Sequence, residues 1–266
     1  PNIDHTYFAI QTSAYNDTAP LYIVNQHGQL VYSLSDFGED FAVYWNPFKH
    51  DEMLIVTFLP NWEYEVYHLL VERKELQKLE DVDSTYFQWM NDQEIAFLDW
   101  MTDTPSFHAP LLKYNIFNNS TEVVAEQISA FFSFPKNYLL TIAFDPQQPT
   151  ESIYSFYRYE KKIGEFKVPT LNTFSEQLWI PFHQFDAERG LFYFLEPLYS
   201  DTYFDYDAPF NLTVYDLKAN TETVLREVDI QAPIKLSPDG KWMLYGNQME
   251  MVINLKTGEL IPLIDF

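Results

Sequence analysis

Ile234-Lys-Leu-Ser-Pro-Asp-Gly-Lys-Trp-Met-Leu-Tyr245, followed by Met251-Val-Ile-Asn-Leu-Lys-Thr-Gly258 and Glu259-Leu-Ile-Pro-Leu-Ile264, reads as four short strands joined by tight connections. Ser237-Pro-Asp-Gly240 puts proline at the second turn position and glycine at the last, with an aspartate between them that can bond its own backbone. Comparable units recur about every 42 to 52 residues along the chain. A four-stranded repeat of that period is the signature of a β-propeller blade.

Labelling the strands of a blade a to d from the centre outward, the final unit has a at 232–236, b at 241–246, c at 250–255 and d at 259–264. Working backwards, the same plan fits 178–185, 190–195, 211–216 and 222–225, then 130–134, 138–144, 152–157 and 163–168. It fits again at 85–89, 94–98, 111–116 and 122–124, and at 41–45, 52–58, 65–70 and 75–79. The first unit shows only b, c and d, at 6–11, 21–24 and 29–33. The expected fold is therefore all-β, a six-bladed β-propeller of four-stranded antiparallel blades with an incomplete first blade, forming one domain over 1–266. The b segments are near-continuous apolar runs, as befits strands covered on both faces, and the d segments are the most polar. A β-sandwich is the rival, and it leaves the regular repeat unexplained.

Composition limits the function classes. Of 266 residues, 39 are acidic and 16 basic, a formal net charge of −23. Phosphate contacts need clustered Lys and Arg, so nucleic acid is not an expected partner. An anionic membrane surface would repel such a chain. There is no cysteine, which excludes disulfides, thiolate zinc sites and cysteine nucleophiles. No apolar run reaches the length of a membrane span. The sequence starts at Pro1 without an initiator Met, which leads to the expectation of a removed leader or a lipid tether upstream.

Leu236-Ser-Pro-Asp-Gly-Lys-Trp-Met-Leu-Tyr245 closely resembles the repeat of the TolB and WD40-like propellers, a match covering about a sixth of the chain. It is a turn-forming motif and carries no ligand information. By blade count, size and acidity the chain also resembles the YqgU-like propeller lipoproteins of Gram-positive bacteria. That resemblance implies an extracellular, surface-anchored domain, and it carries over no catalytic residues.

The a–b and c–d turns are short, whereas several b–c loops are longer than turning requires: 59–64, 99–110, 145–150 and 196–209. Such loops are disproportionately functional. The bland alternative is that they plug the channel with aromatic side chains. Trp62, Trp100, Tyr199 and Tyr203 offer rigid aromatic contact area, and Asp99 and Asp103 negative charge, for a protein, peptide or glycan ligand. Asp201, Asp205 and Asp207 can be read as oxygen ligands for calcium, but they lack the spacing of an EF-hand loop, so a solvated acidic loop is the preferred reading. No other cofactor is expected. The six histidines are scattered, with His68 and His183 on strands and His108 alone in a long loop. Four arginines, none in the long loops, and no Ser-x-Asp-x-Gly-x-Thr-Trp turn speak against a sialidase-like site. The expected function is a non-enzymatic binding or scaffold domain; the alternative is a carbohydrate-active hydrolase using loop carboxylates.

Overall fold

The computed structural model describes residues 1–12, 20–35, 37–100, 106–144, 150–172 and 179–263. The chain divides into two compact units, Pro1–Trp100 with Pro110–Glu126, and Met101–Ala109 with Gln127–Phe266. In the first unit β1 (Tyr7–Gln11), β2 (Leu21–Asn25) and β3 (Leu30–Leu34) form a three-stranded sheet. A four-stranded sheet follows: β4 (Asp40–Trp45), β5 (Glu52–Phe58), β6 (Tyr64–Leu70) and β7 (Glu75–Lys78). The next has β8 (Gln88–Trp89), β9 (Glu94–Leu98), β10 (Ala109–Asn115) and β11 (Ser120–Ile128).

The second unit repeats the plan. β12 (Ala130–Phe134), β13 (Tyr138–Phe144), β14 (Glu151–Arg158) and β15 (Lys161–Pro169) make one sheet. After β16 (Leu171–Asn172) come β17 (His183–Asp186), β18 (Leu191–Pro197), β20 (Phe210–Asp216) and β21 (Thr221–Val228), interrupted by β19 (Asp201–Thr202). The last sheet is β22 (Ile234–Leu236), β23 (Trp242–Tyr245), β24 (Met251–Asn254) and β25 (Leu260–Pro262). Each four-stranded sheet runs in chain order from a to d. The repeat read from the sequence is thus a repeat of sheets.

Two a strands are shorter than expected, each for a local reason. The segment expected at 178–185 becomes a strand only at His183: Pro181 has no N–H to give a ladder, and Trp179 N–H bonds the Leu171 carbonyl instead. The segment expected at 85–89 is a strand only from Gln88, because the Ser84 hydroxyl takes the Tyr86 N–H in a side-chain turn.

Packing explains the apolar b strands. On β5, Met53, Leu54, Ile55 and Val56 are all fully buried. Met53 and Ile55 join Leu21, Ile23 and Leu69 on one face, while Leu54 and Val56 join Trp89, Ile95 and Phe97 on the other. In the second unit, Phe192 and Phe194 of β18 pack with Leu140, Phe156 and Phe166, and Tyr193 and Leu195 with Ile234, Met243 and Ile253. Alternate residues of one strand therefore belong to different cores.

The turns share a device. Asn25, Asn115, Asp216 and Asn254 close their c strands, and each Oδ1 accepts a backbone N–H two residues on. A left-handed residue follows at Gly28, Asn119, Asn220 and Gly258. Gly258 is irreplaceable there: at φ +71° a Cβ would also lie 2.6 Å from the Leu225 carbonyl oxygen. Asn2 N–H bonds the Tyr7 carbonyl at 3.0 Å, as Asn46 N–H bonds Glu52 at 2.9 Å, which identifies β1 as a b strand. Two arginines link successive sheets of the second unit. Arg189 donates to the carbonyls of Gly240 (2.6 Å) and Asp239 (2.5 Å), and Arg226 to that of Gly258 (2.7 Å).

One charge is buried between strands. The Glu52 side chain is fully buried, with Oε1 2.5 Å from His68 Nε2, and Oε2 bonded by Asn46 Nδ2 (3.1 Å) and Lys49 Nζ (3.0 Å). Burial opposes the charge, but the bonds from His68 and Lys49 outweigh it and hold the Glu52 carboxyl below its ordinary value. A depressed carboxyl stabilises the fold above its unfolded pKa, and that contribution disappears as pH falls through the folded one. Glu52→Gln is therefore expected to cost about 2–4 kcal/mol at neutral pH. In urea titrations the gap to wild type should stay constant above about pH 5 and narrow below about pH 4. A gap independent of pH would show that shape, not charge, is what the site requires.

Candidate functional site

The long connection between β18 and β20 in the second unit is built as a rigid shelf. Its root is fixed by a parallel bridge, β16 to β19, pairing Leu171 with Asp201 and Asn172 with Thr202. Asp201 N–H and Ser200 Oγ both donate to the Thr170 carbonyl, at 3.2 and 2.8 Å, and Tyr203 N–H to that of Asn172 at 2.7 Å. Tyr206 works as a staple: its hydroxyl receives the Leu198 N–H at 2.8 Å and donates to the Pro209 carbonyl at 2.7 Å.

Aromatic rings continue from that framework to the surface. Tyr206 packs on the half-exposed Tyr199 and the buried Phe210, with ring centres 4.9 and 4.8 Å apart. Trp179 lies 6.1 Å from Phe210 and 5.6 Å from Tyr203, which meets Phe204 edge-on at 5.5 Å. Phe204 is 62% exposed, Leu198 45%, Tyr199 41% and Tyr203 37%, so the outer members face solvent while the inner ones anchor them. Leu198 and Trp179 were not singled out from the sequence. Trp179 lies in a segment that reads as strand, and its placement depends on Leu171, far from it in the chain.

The aspartates of this loop serve it locally. Asp201 Oδ1 receives the Thr202 N–H, Asp205 Oδ2 the Thr202 hydroxyl, and Asp207 Oδ1 the Tyr199 hydroxyl at 2.7 Å. The bond to Asp207 raises the Tyr199 phenol above its ordinary value. Asp201, Asp205 and Asp207 do not converge: among the described residues no group of three His, Asp or Glu side chains is placed to hold a metal ion. The same spacing sets each of them on a donor within its own loop. Glu196, at the foot of the loop, has a carboxyl raised by burial, opposed by a 2.7 Å hydrogen bond from Thr213.

The other sequence candidates fall elsewhere. Trp62, Asp99 and Trp100 belong to the first unit. Trp62 ends a 3₁₀ turn at Pro60–Trp62, held at φ +65°, and is fully exposed; Trp100 is 45% exposed. Asp99 N–H bonds the Pro110 carbonyl at 3.0 Å. Asp103 and Asp145 lie outside the described residues. His108 is engaged structurally, its Nε2 against the Phe144 carbonyl and its N–H on Ser106 Oγ. His183 packs edge-on to Phe132 at 4.3 Å, and burial lowers its pKa.

A model of the YqgU-like six-bladed β-propeller domain matches residues 2–246. The chain belongs to this family. Its sheets are accordingly propeller blades, and the shelf is a b–c loop of the fifth. Within the same range of similarity, the Bacillus subtilis (strain 168) protein called uncharacterized lipoprotein YqgU is 20% identical over 242 residues, 91% of this chain and 65% of that one. The chain thus spans just under two thirds of that relative. The crystal structure of Listeria monocytogenes EGD-e protein lmo1340 is similar with a TM-score of 0.81 at 20% identity, covering 99% of this chain and 79% of the other. The β-propeller domain of the Trilobed protease from Pyrococcus furiosus gives 0.57 at 12% identity, covering 99% and 82%. Such identities speak for the fold alone. Among the described residues no helix is long and apolar enough to cross a membrane.

The staple yields a direct test. Tyr206→Phe leaves the Leu198 N–H and the Pro209 carbonyl without their shared hydroxyl and should cost about 1–2 kcal/mol. Hydrogen exchange at Leu198 should quicken while the Phe192 and Phe194 amides of β18 stay protected. Unchanged exchange at Leu198 would mean that the bridge between β16 and β19 alone holds the shelf.

Proposed function

We propose that this domain is a non-enzymatic binding module at the bacterial cell surface, taking a protein, peptide or glycan partner on the shelf between β18 and β20. The observation that carries this reading is the exposed row of Leu198, Tyr199, Tyr203 and Phe204 above an ordered aromatic base. Tyr and Phe side chains held in place supply contact area with little entropy left to lose on binding. Surface exposure of so many large apolar groups costs solubility unless a partner covers them. The loop aspartates orient the shelf and give its rim a negative character, which favours partners with complementary charge. Cell-surface placement draws support from the lipoprotein name of the Bacillus subtilis relative.

Binding should be sought with a glycan array and with surface-exposed polypeptides as bait. For any ligand so found, Tyr203→Ala combined with Phe204→Ala should weaken affinity about tenfold or more, with the thermal transition shifted little. A broad panel of glycosidic substrates supplies the counter-test. Turnover that disappears in Asp201→Asn or Asp99→Asn would replace the binding module with a carbohydrate-active hydrolase.

A further inference from the structure

Within the first unit, the outer half of the sheet β4–β7 encloses a groove of about 510 Å³ between β6, β7 and the connections at their ends. Its lining has two chemical characters. Leu59 and the ring of Tyr64, both partly exposed, form an apolar part, beneath which Val66, Leu79 and Val82 are buried in the core. Glu63, Glu65, Glu80 and Asp83 supply four carboxylates against the single ammonium of Lys78. Lys78 is already shared between Glu65 at 3.0 Å and Glu80 at 3.5 Å. Asp83 receives the Tyr64 hydroxyl, and the Glu63 side chain has no partner among the described residues.

Three further features surround this groove. β7 is the terminal strand of its sheet, so one row of its N–H and C=O groups lacks a strand partner among the described residues. The Leu59 N–H to Glu63 carbonyl bond (2.8 Å) closes the loop that carries the fully exposed Trp62 between two lining residues. The whole chain bears a net charge of −23, which draws cationic partners toward it.

We infer that this groove docks an extended basic segment of a partner polypeptide. A lysine or arginine fits both halves of the lining, its methylene stem along Leu59 and the Tyr64 ring and its charge among the carboxylates. The open edge of β7 offers the backbone bonds that an extended chain requires. Trp62 provides a face on which a guanidinium can stack. A small polyamine satisfies the carboxylates but uses neither the strand edge nor the apolar lining.

The test is a titration at low ionic strength with the acetylated, amidated peptide Lys-Val-Lys-Thr-Lys-Val-Lys, its glutamate-for-lysine counterpart, and spermidine. The basic peptide should bind, with an affinity that falls as salt rises, and the acidic peptide should not. The variant combining Glu63→Gln and Asp83→Asn should weaken peptide binding about three- to tenfold. The charge-matched pair Glu227→Gln and Asp229→Asn, on exposed positions of the other unit, should stay within about twofold of wild type by the same reasoning. Unaltered thermal transitions establish that both variants are folded. Equal weakening in the two variants would overturn the proposal in favour of diffuse attraction to an acidic surface. Absence of peptide binding would also overturn it, as would spermidine binding as tightly as the peptide.

Discussion

Burial on both faces of β5, β9, β13 and β18, the second strands of four sheets, is the constraint from which the remaining structure follows. Met53 to Val56 on β5 send alternate side chains into two different cores, and β18 does the same with Phe192 to Leu195. Each fully buried side chain of this kind is worth about 1.5–3 kcal/mol as an upper estimate. Such a strand cannot slip by one residue without exchanging both cores at once, so register is doubly fixed. Outward from it the requirement relaxes. β21 begins with four exposed residues, and β7 has no buried residue.

That gradient leaves polar chemistry to the strand ends. At four of the c–d turns, an Asn or Asp bonds the backbone and a left-handed residue completes the reversal. Arg189 uses carbonyls of the a–b turn Ser237–Gly240 and Arg226 that of Gly258 in the last c–d turn, joining one sheet to the next. Arginines scarce in the sequence are thus spent on architecture. The opposite strand ends have no such duty, and there the connection between β18 and β20 is free to lengthen into a shelf. Its order is not intrinsic to the loop; it comes from the β16 bridge and from Trp179, supplied by a neighbouring connection.

Carboxylates dominate this chain, and the buried Glu52 and half-buried Glu196 show what it tolerates. Glu52 is held charged because His68, Lys49 and Asn46 surround both of its oxygens. Glu196, with one hydrogen bond from Thr213, moves the other way, toward its neutral form. Number of partners, rather than depth alone, decides the direction. On the surface the same logic separates the shelf aspartates, each satisfied by a nearby donor, from Glu63, whose side chain has no partner among the described residues.

The sequence by itself determined the blades. Most strand positions, their a-to-d order and the short turns were legible, because period, apolar runs and turn residues are local properties that the backbone must obey; the two shortened a strands were not. It also pointed to the loop of 196–209 and to Tyr199 and Tyr203, since an overlong aromatic loop stands out against a regular repeat. The local bonds of Asp201, Asp205 and Asp207 were not legible: their spacing reads first as a solvated acidic loop, and only the folded loop shows which donor lies beside each oxygen. Nor were Trp179, the β16–β19 bridge, the Glu52–His68 pair or the groove beside β7. Each depends on residues that are distant in sequence and brought together by the packing of sheets, and no local pattern records such a meeting.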